Sequence, residues 1–222
     1  ANNDSAYGTA LDLADAGITV SAVVDVRSEP GGELPSQVRA RGIEVLGGHV
    51  VADVIGRKRV KAVKVVRLSA SGDATEGPAR KISCDLVAVS GGWNPTVHLH
   101  AQSGGKPRFD VEKGCYVPGD PVQAEHSAGA CNGAFSLGRC VAEGSIAGAS
   151  AAQAAGFGDG NVSREAPATS DPEEEPLHPM WMVPSRAHLS HEHNRFVDLQ
   201  PDVTVADIAV SVREGYDLSG LM

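Results

Sequence analysis

The chain has 222 residues, 41% of them hydrophobic, with 26 Gly and 13 Pro, enough to bury a sizeable core in one large domain followed by a tail. Its 19 Lys and Arg stand against 28 Asp and Glu, a formal net charge of −9 that leaves no basic stripe for DNA or RNA. The apolar runs are short and broken by Gly, Asp or Lys, whereas a membrane span needs about 20 consecutive apolar residues, so a soluble chain with no membrane partner is expected, and four scattered cysteines that read as reduced thiols point to a cytoplasmic location.

Asn2-Asn3-Asp4-Ser5-Ala6-Tyr7 leads into Thr9 to Ala16, where Ala10, Leu11, Leu13 and Ala14 recur at helical spacing until Gly17 stops the helix. Ile18 to Val26, rich in β-branched residues and containing Asp25, reads as a buried parallel strand after a crossover helix. The two form most of a βαβ unit whose first strand is expected before residue 1. Glu33 to Arg41 is a candidate short helix. Ile43 to Leu46 starts a strand, and His49 to Ile55, Val60 to Ser69 and Lys81 to Ser90 follow at the spacing of a β-meander. Within it Val63, Val65 and Leu68 interleave with Lys61, Lys64 and Arg67, and Ser71-Gly72-Asp73 marks a turn. Cys84 to Ser90 then runs apolar onto Gly91-Gly92-Trp93-Asn94-Pro95.

A second glycine stretch, Ala128-Gly129-Ala130-Cys131-Asn132-Gly133, precedes a long Ala-rich helix from about Leu137 to Ala155. Gly144 and Gly148 give that helix a face of small residues for close packing. After Gly160 the composition turns to Pro, Ser and acid, with Asp171 and Glu173 to Glu175, as expected of a linker. Val203 to Glu214 reads as an amphipathic helix opened by Thr204 as N-cap, and no domain is completed after residue 196.

A dinucleotide needs its pyrophosphate against a helix N-terminus, with glycines that let the backbone approach. Where the fingerprint G-x-G-x-x-G/A would lie, the chain has Ala1-Asn2-Asn3-Asp4-Ser5-Ala6, so a βαβ fold without strong pyrophosphate binding is expected there. Gly91-Gly92 and Gly129 are better placed, each after an apolar stretch, although a glycine after a strand is commonly just a turn. His188, His191 and His193 have a spacing that could chelate a metal, but they lie in a linker-like segment without Cys and read as solvated loop histidines. Cys84, Cys115, Cys131 and Cys140 form no C-x-x-C pair, which argues against a zinc ribbon, a thioredoxin-type motif and a disulfide scaffold. No nucleophile elbow, P-loop or paired-carboxylate motif is present, so no catalytic residue is assigned.

Asn2 to Tyr7 with Ala10-Leu11-Asp12-Leu13-Ala14-Asp15-Ala16-Gly17 resembles the alpha subunit of heterotetrameric sarcosine oxidase. Cys84 to Leu99, with its Ser90-Gly91-Gly92-Trp93-Asn94-Pro95 core, agrees, as do Ala142-Glu143-Gly144 with Ala147-Gly148, and Phe196-Val197-Asp198 with Asp202-Val203-Thr204. The resemblance implies an α/β, two-dinucleotide-binding-domain (disulfide-reductase-like) fold, with this chain as the middle of the subunit. Residues 1–80 would be an inserted, degenerate nucleotide-binding βαβ domain with a β-meander, and 81–158 the return to the first dinucleotide domain. Residues 159–195 would be a Pro- and acid-rich linker, and 196–222 the start of a connecting helical module before a folate domain.

By the same resemblance, sarcosine is oxidised at FAD in the beta subunit and electrons pass to FMN at the alpha–beta interface. Oxygen reoxidises the flavin, and tetrahydrofolate captures the one-carbon unit; products are glycine, hydrogen peroxide and either formaldehyde or methylenetetrahydrofolate. The partners are the beta, gamma and delta subunits, and the alpha subunit holds NAD. Carried onto this sequence, the cofactor-binding residues are Gly91, Gly92, Gly129, Ala130, Ser136 and Leu137. Gly129-Ala130 matches the Gly-Asp that holds a ribityl chain in flavin-binding relatives, and Ala130 in place of the acid counts against FAD here and is compatible with NAD. Related dehydrogenase subunits place a C-x-C pair where Asp198 and Gln200 stand, so an iron–sulfur cluster is not expected. The other readings are a subunit of a related FAD-dependent amine, opine or proline dehydrogenase, and a non-catalytic remnant scaffold.

Overall fold

The structure is a computed structural model and describes residues 1–159, 166–170, 175–185, 189 and 192–216. Its first element is helix α1 (Ser5–Asp15), which delivers the chain to strand β1 (Val23–Asp25); helix α2 (Glu33–Ala40) crosses over to strand β2 (Val45–Gly47). β1 and β2 pair in parallel, Val23 opposite Val45. Tyr7 and Ala10 of α1, Val23 of β1 and Val38 of α2 form the buried core between these layers, with Leu11, Val20, Leu34, Ile43 and Val45 packed around it. Ala1 stands in a parallel bridge opposite Asp25: its amino nitrogen donates to the Val24 carbonyl at 2.7 Å, and its own carbonyl accepts from Val26 N at 3.1 Å. The backbone at residue 1 thus runs alongside β1 in the direction a βαβ unit requires.

Strands β3 (His49–Gly56), β4 (Val60–Leu68) and β5 (Thr75–Ser83) make the expected antiparallel meander, with β4 in the middle. Ala62, Val63, Val65 and Leu68 of β4 are buried. The step from Val65 to Leu68 is odd, so the two-residue pleat sends Leu68 to the opposite face. Leu68 therefore shares the face of Ala62, opposite Val63 and Val65, and β4 buries residues on both faces; the register shift between Val65 and Arg67 places its extra residues on β5, where Arg80 to Glu76 spans four steps against two. At the β4–β5 turn, Asp73 Oδ1 accepts from the Ser69 and Ser71 hydroxyls at 2.9 and 2.5 Å. Gly47 and Gly48 join the meander to the parallel pair: Gly48 N donates to the Arg27 carbonyl, and a Cβ on Gly47 would stand 2.4 Å from the Ser28 carbonyl.

The expected strand from Lys81 to Ser90 is corrected at both ends. Pairing starts at Thr75 and stops at Ser83, after which Cys84 N still donates to the Lys61 carbonyl at 3.2 Å. Residues 85–90 are irregular, and Leu86 and Val89 are exposed. An apolar run becomes a strand only where a neighbouring strand takes its amides, and no such neighbour stands here among the described residues. Ile18 to Val26 is likewise shortened to Val23–Asp25, because β2 offers a partner for that length alone.

Helix α3 (His98–Gln102) and the hairpin β6 (Arg108–Asp110) and β7 (Cys115–Val117) follow. His100, buried, ties them together: its Nδ1 lies 2.7 Å from Glu125 Oε1, and Gly119 N donates to its Nε2 at 3.2 Å. A 3-10 turn, Gly129–Asn132, leads to helix α4 (Leu137–Ala154), which carries no buried residue. Strands β8 (Phe196–Asp198) and β9 (Val203–Thr204) pair ahead of helix α5 (Val205–Arg213). Thr204 caps α5 as expected, in a full capping box with Asp207. No helix of the described residues is long and apolar enough to cross a membrane.

Candidate functional site

Side chains of α1's opening turn and the end of β1 meet at the carboxyl edge of the parallel strands, where α/β sheets bind ligands. Asp25 closes β1 and is fully buried. Its Oδ1 accepts from Arg27 N and Nε, and its Oδ2 from the Tyr7 hydroxyl at 2.8 Å and Arg27 Nη2 at 2.8 Å. Arg27 Nη2 also donates to buried Asp4 Oδ1 at 2.7 Å, so one guanidinium neutralises carboxylates from two elements. Burial alone would lower the Arg27 pKa, but the hydrogen bonds to Asp25 and Asp4 outweigh it and hold the group far above its ordinary value. Burial, then the hydrogen bond to Asp25, push the Tyr7 phenol well above its usual range.

In dinucleotide folds an acid at this strand end grips a ribose diol. Asp25 spends both oxygens on its own chain, so this cluster, as it stands, is a structural lock. The side chains of Asn2 and Asn3, at the opening of α1, are likewise committed to their own chain. Asn3 Oδ1 accepts from Ser5 N at 3.0 Å, Asn2 Nδ2 donates to the Gly91 carbonyl at 3.1 Å, and Asn3 Nδ2 donates to Ser90 Oγ at 3.0 Å. A short stretch from the acidic segment lies over the same turn. Glu175 N donates to Asp4 Oδ2 at 2.7 Å, His178 N donates to the Asn2 carbonyl at 3.0 Å, and Gly31 N donates to Glu175 Oε2 at 3.2 Å.

The six residues read from the sequence fall into two groups. Gly91 and Gly92 belong to this N-terminal turn, with Gly92 at φ 107° and too close to the Leu177 side chain for a Cβ. Gly129, Ala130, Ser136 and Leu137 lie around the start of α4. Gly129 is buried at φ 69° and its N–H donates to Glu143 Oε2 at 3.0 Å; Ala130 is exposed; Ser136 caps α4 by accepting from Arg139 N; Leu137 is exposed. The Trp93 and Phe135 rings, with centroids 6.5 Å apart, link the groups. The α4 end can offer a ligand the exposed first turn of a helix, but Glu143 already takes the Gly129 amide. Of the histidine trio, His188 and His191 lie outside the described residues.

Sequence reasoning missed Tyr7, Arg27 and Glu175. For Arg27 a signal existed: a basic residue two places after an acid at a strand end, with a second acid opening the preceding helix. Glu175 had none, because its partners are 144 and 171 residues away.

Fold and site together define a mixed α/β protein with small sheets, built on a parallel βαβ pair, whose strand-end cluster is closed by its own side chains. No protein-family model matches the chain. It is 35% identical over 217 residues to "Sarcosine oxidase subunit alpha" of Corynebacterium sp. (strain P-1), which covers 97% of this chain and 22% of that protein. It is 36% identical over 208 residues to the protein of the same name from Corynebacterium sp. (strain U-96), covering 93% and 21%. To that of Rhizobium meliloti (strain 1021) it is 29% identical over 214 residues, covering 96% and 20%. The chain belongs to the sarcosine oxidase alpha-subunit family and spans about a fifth of the length of these relatives.

Proposed function

We propose that the chain works as part of the alpha subunit of a sarcosine oxidase, which converts sarcosine to glycine with hydrogen peroxide and either formaldehyde or 5,10-methylenetetrahydrofolate. The observation that carries this reading is the identity of 35% over 97% of the chain to a sarcosine oxidase alpha subunit. Beta, gamma and delta subunits would complete the enzyme, with FAD in the beta subunit and FMN at the alpha–beta interface. This chain would supply framework and part of an NAD site, and none of its side chains is assigned a catalytic role.

The domain scheme belongs to the same reading: an inserted nucleotide-type domain over 1–80, the return of the first dinucleotide domain over 81–158, a linker over 159–195 and a connecting module from 196. NAD fits the start of α4 in part. The helix terminus offers an electropositive end for a pyrophosphate, and Ala130 presents no carboxylate to repel it. It does not fit the lock at Asp25, whose oxygens are committed. FAD fits less well, since Ala130 cannot grip a ribityl hydroxyl.

The test is to express the alpha subunit containing this chain with its neighbouring-gene subunits and purify the complex. Sarcosine-dependent oxygen uptake with stoichiometric peroxide is expected, and the 222-residue chain alone is expected to give none. Electron transfer to a dye acceptor without peroxide, through an iron–sulfur centre, would favour a dehydrogenase instead. A non-catalytic scaffold is the second reading, and the self-closed strand-end cluster favours it; failure of any complex to turn over N-methyl amino acids would support it.

A further inference from the structure

Residues 85–90 are held at both ends and open between. At one end Cys84 N donates to the Lys61 carbonyl at 3.2 Å. At the other, Ser90 Oγ lies 2.7 Å from Ser5 Oγ and accepts from Asn3 Nδ2 at 3.0 Å, and the Gly91 carbonyl accepts from Asn2 Nδ2 at 3.1 Å. Between these anchors no backbone amide or carbonyl from Asp85 to Val89 has a hydrogen-bond partner among the described residues, and Leu86 is 69% and Val89 85% exposed. Leu86-Val87-Ala88-Val89 is not the alternation of a half-covered strand. A continuous apolar run is the composition of a strand covered on both faces and paired on both edges, as in parallel sheets. Edges meant to face water are blunted by Lys, Pro or a bulge, whereas this stretch carries one charge, Asp85, at its very start.

We propose that residues 85–90 are a docking strand, to which strands from the part of the alpha-subunit polypeptide outside this chain add on both edges. The relatives supply the occupant: the chain spans about a fifth of their length, so most of each polypeptide is available to provide neighbours. A second copy fits less well. Two-fold pairing through the same residues gives each copy one new neighbour, at one edge, and leaves the other edge open. A strand flanked on both edges lies inside a domain's own core, which one polypeptide folds as a unit, rather than at a contact between subunits. The anchors at Cys84 and Ser90 then act as a frame: they hold the run extended over six residues, roughly 20 Å, the ordinary length of a strand, before its neighbours arrive. The proposal rests on the alpha-subunit reading and adds to it the place where this chain joins the remainder.

The test compares amide hydrogen exchange in the 222-residue chain and in the whole alpha subunit expressed without other subunits. The amides of 86–89 are expected to exchange without protection in the chain and at least about a hundredfold slower in the subunit, as interior strands do. Val89→Asp gives a second reading: it is expected to leave the urea midpoint of the chain unchanged, because that side chain already faces water, and to lower that of the subunit. Unprotected 86–89 in the subunit would overturn the proposal, as would an equal effect of Val89→Asp in both proteins. Protection already present in the 222-residue chain, rising with its concentration if a second copy is the occupant, would overturn it too, as would protection that appears only when other subunits are added. Activity separates this from the function: a subunit that protects 86–89 in a complex that leaves sarcosine unoxidised would sink the sarcosine oxidase reading alone, and turnover with 86–89 unprotected would sink the docking strand alone.

Discussion

Arg27 bridges Asp4 and Asp25 in a place where neither carboxylate can reach water, so what matters is the cost of breaking the set. Removing one partner of a buried ion pair leaves an uncompensated charge, and Arg27→Ala is expected to cost about 3–5 kcal/mol in urea unfolding at pH 7. A loss within 1 kcal/mol would show that water or another cation replaces the guanidinium. Tyr7 adds a pH signature. Its folded pKa is raised above the ordinary value of 10.0, so its contribution is complete below pH 10 and declines as the pH rises further, where the unfolded chain releases the phenolic proton and the folded chain keeps it. Tyr7→Phe is expected to cost about 2 kcal/mol at pH 7, the worth of a hydrogen bond to a buried charge. The difference from wild type, followed by urea midpoints from pH 7 to 11, should narrow above pH 10. A constant difference would mean that the phenol ionises freely in the native state.

Elements whose signal is local were legible in the sequence. Helices α1, α2 and α4 and the meander follow from apolar spacing, and α5 from Thr204, whose capping box was written in Thr204 and Asp207 three residues apart. What was not legible depends on a distant partner. Residues 85–90 have a strand's composition but no ladder to join, and the lock joins Asp4 to Arg27 across 23 residues. Of the six site residues, sequence could place the glycines on turns but could not tell that Asn2, Asn3 and Glu143 already bond to those turns or their neighbours. The α5 cap can be tested alone. Thr204→Ala is expected to cost that helix about 1 kcal/mol, read as faster amide exchange over 205–213. The Thr204 hydroxyl, then its backbone N–H, hold the Asp207 carboxyl below the ordinary 3.8, so the cap's contribution is present above that pH and lost as the pH falls below it. Unchanged exchange in the variant would mean that packing of Ala206, not the cap, fixes the helix start.

At the scale of the whole molecule, burial is uneven. The parallel unit and the meander hold most of the buried hydrophobic residues, whereas α4, 18 residues long, buries none, and Leu137 and Ile146 face solvent. A Cβ on Gly144 or Gly148 would meet nothing within 4 Å, and Ala147, Ala151 and Ala154 line an open apolar groove with Ala124 and His126. Isolated helices of this length are marginal in water, because their stability comes mainly from packing an apolar face. In the 222-residue chain, α4 amides are therefore expected to exchange about a hundredfold or more faster than those of β4, which sits between two strands. Gly144→Ala should slow that exchange, since alanine is worth about 1 kcal/mol over glycine in an exposed helix interior. Within an assembled alpha subunit, where the stripe of small residues would lie against another surface, the same substitution is expected to gain nothing or to weaken assembly. Equal protection of α4 and β4 in the free chain would show that the helix is stable without any cover, and the contrast between the two contexts would then disappear.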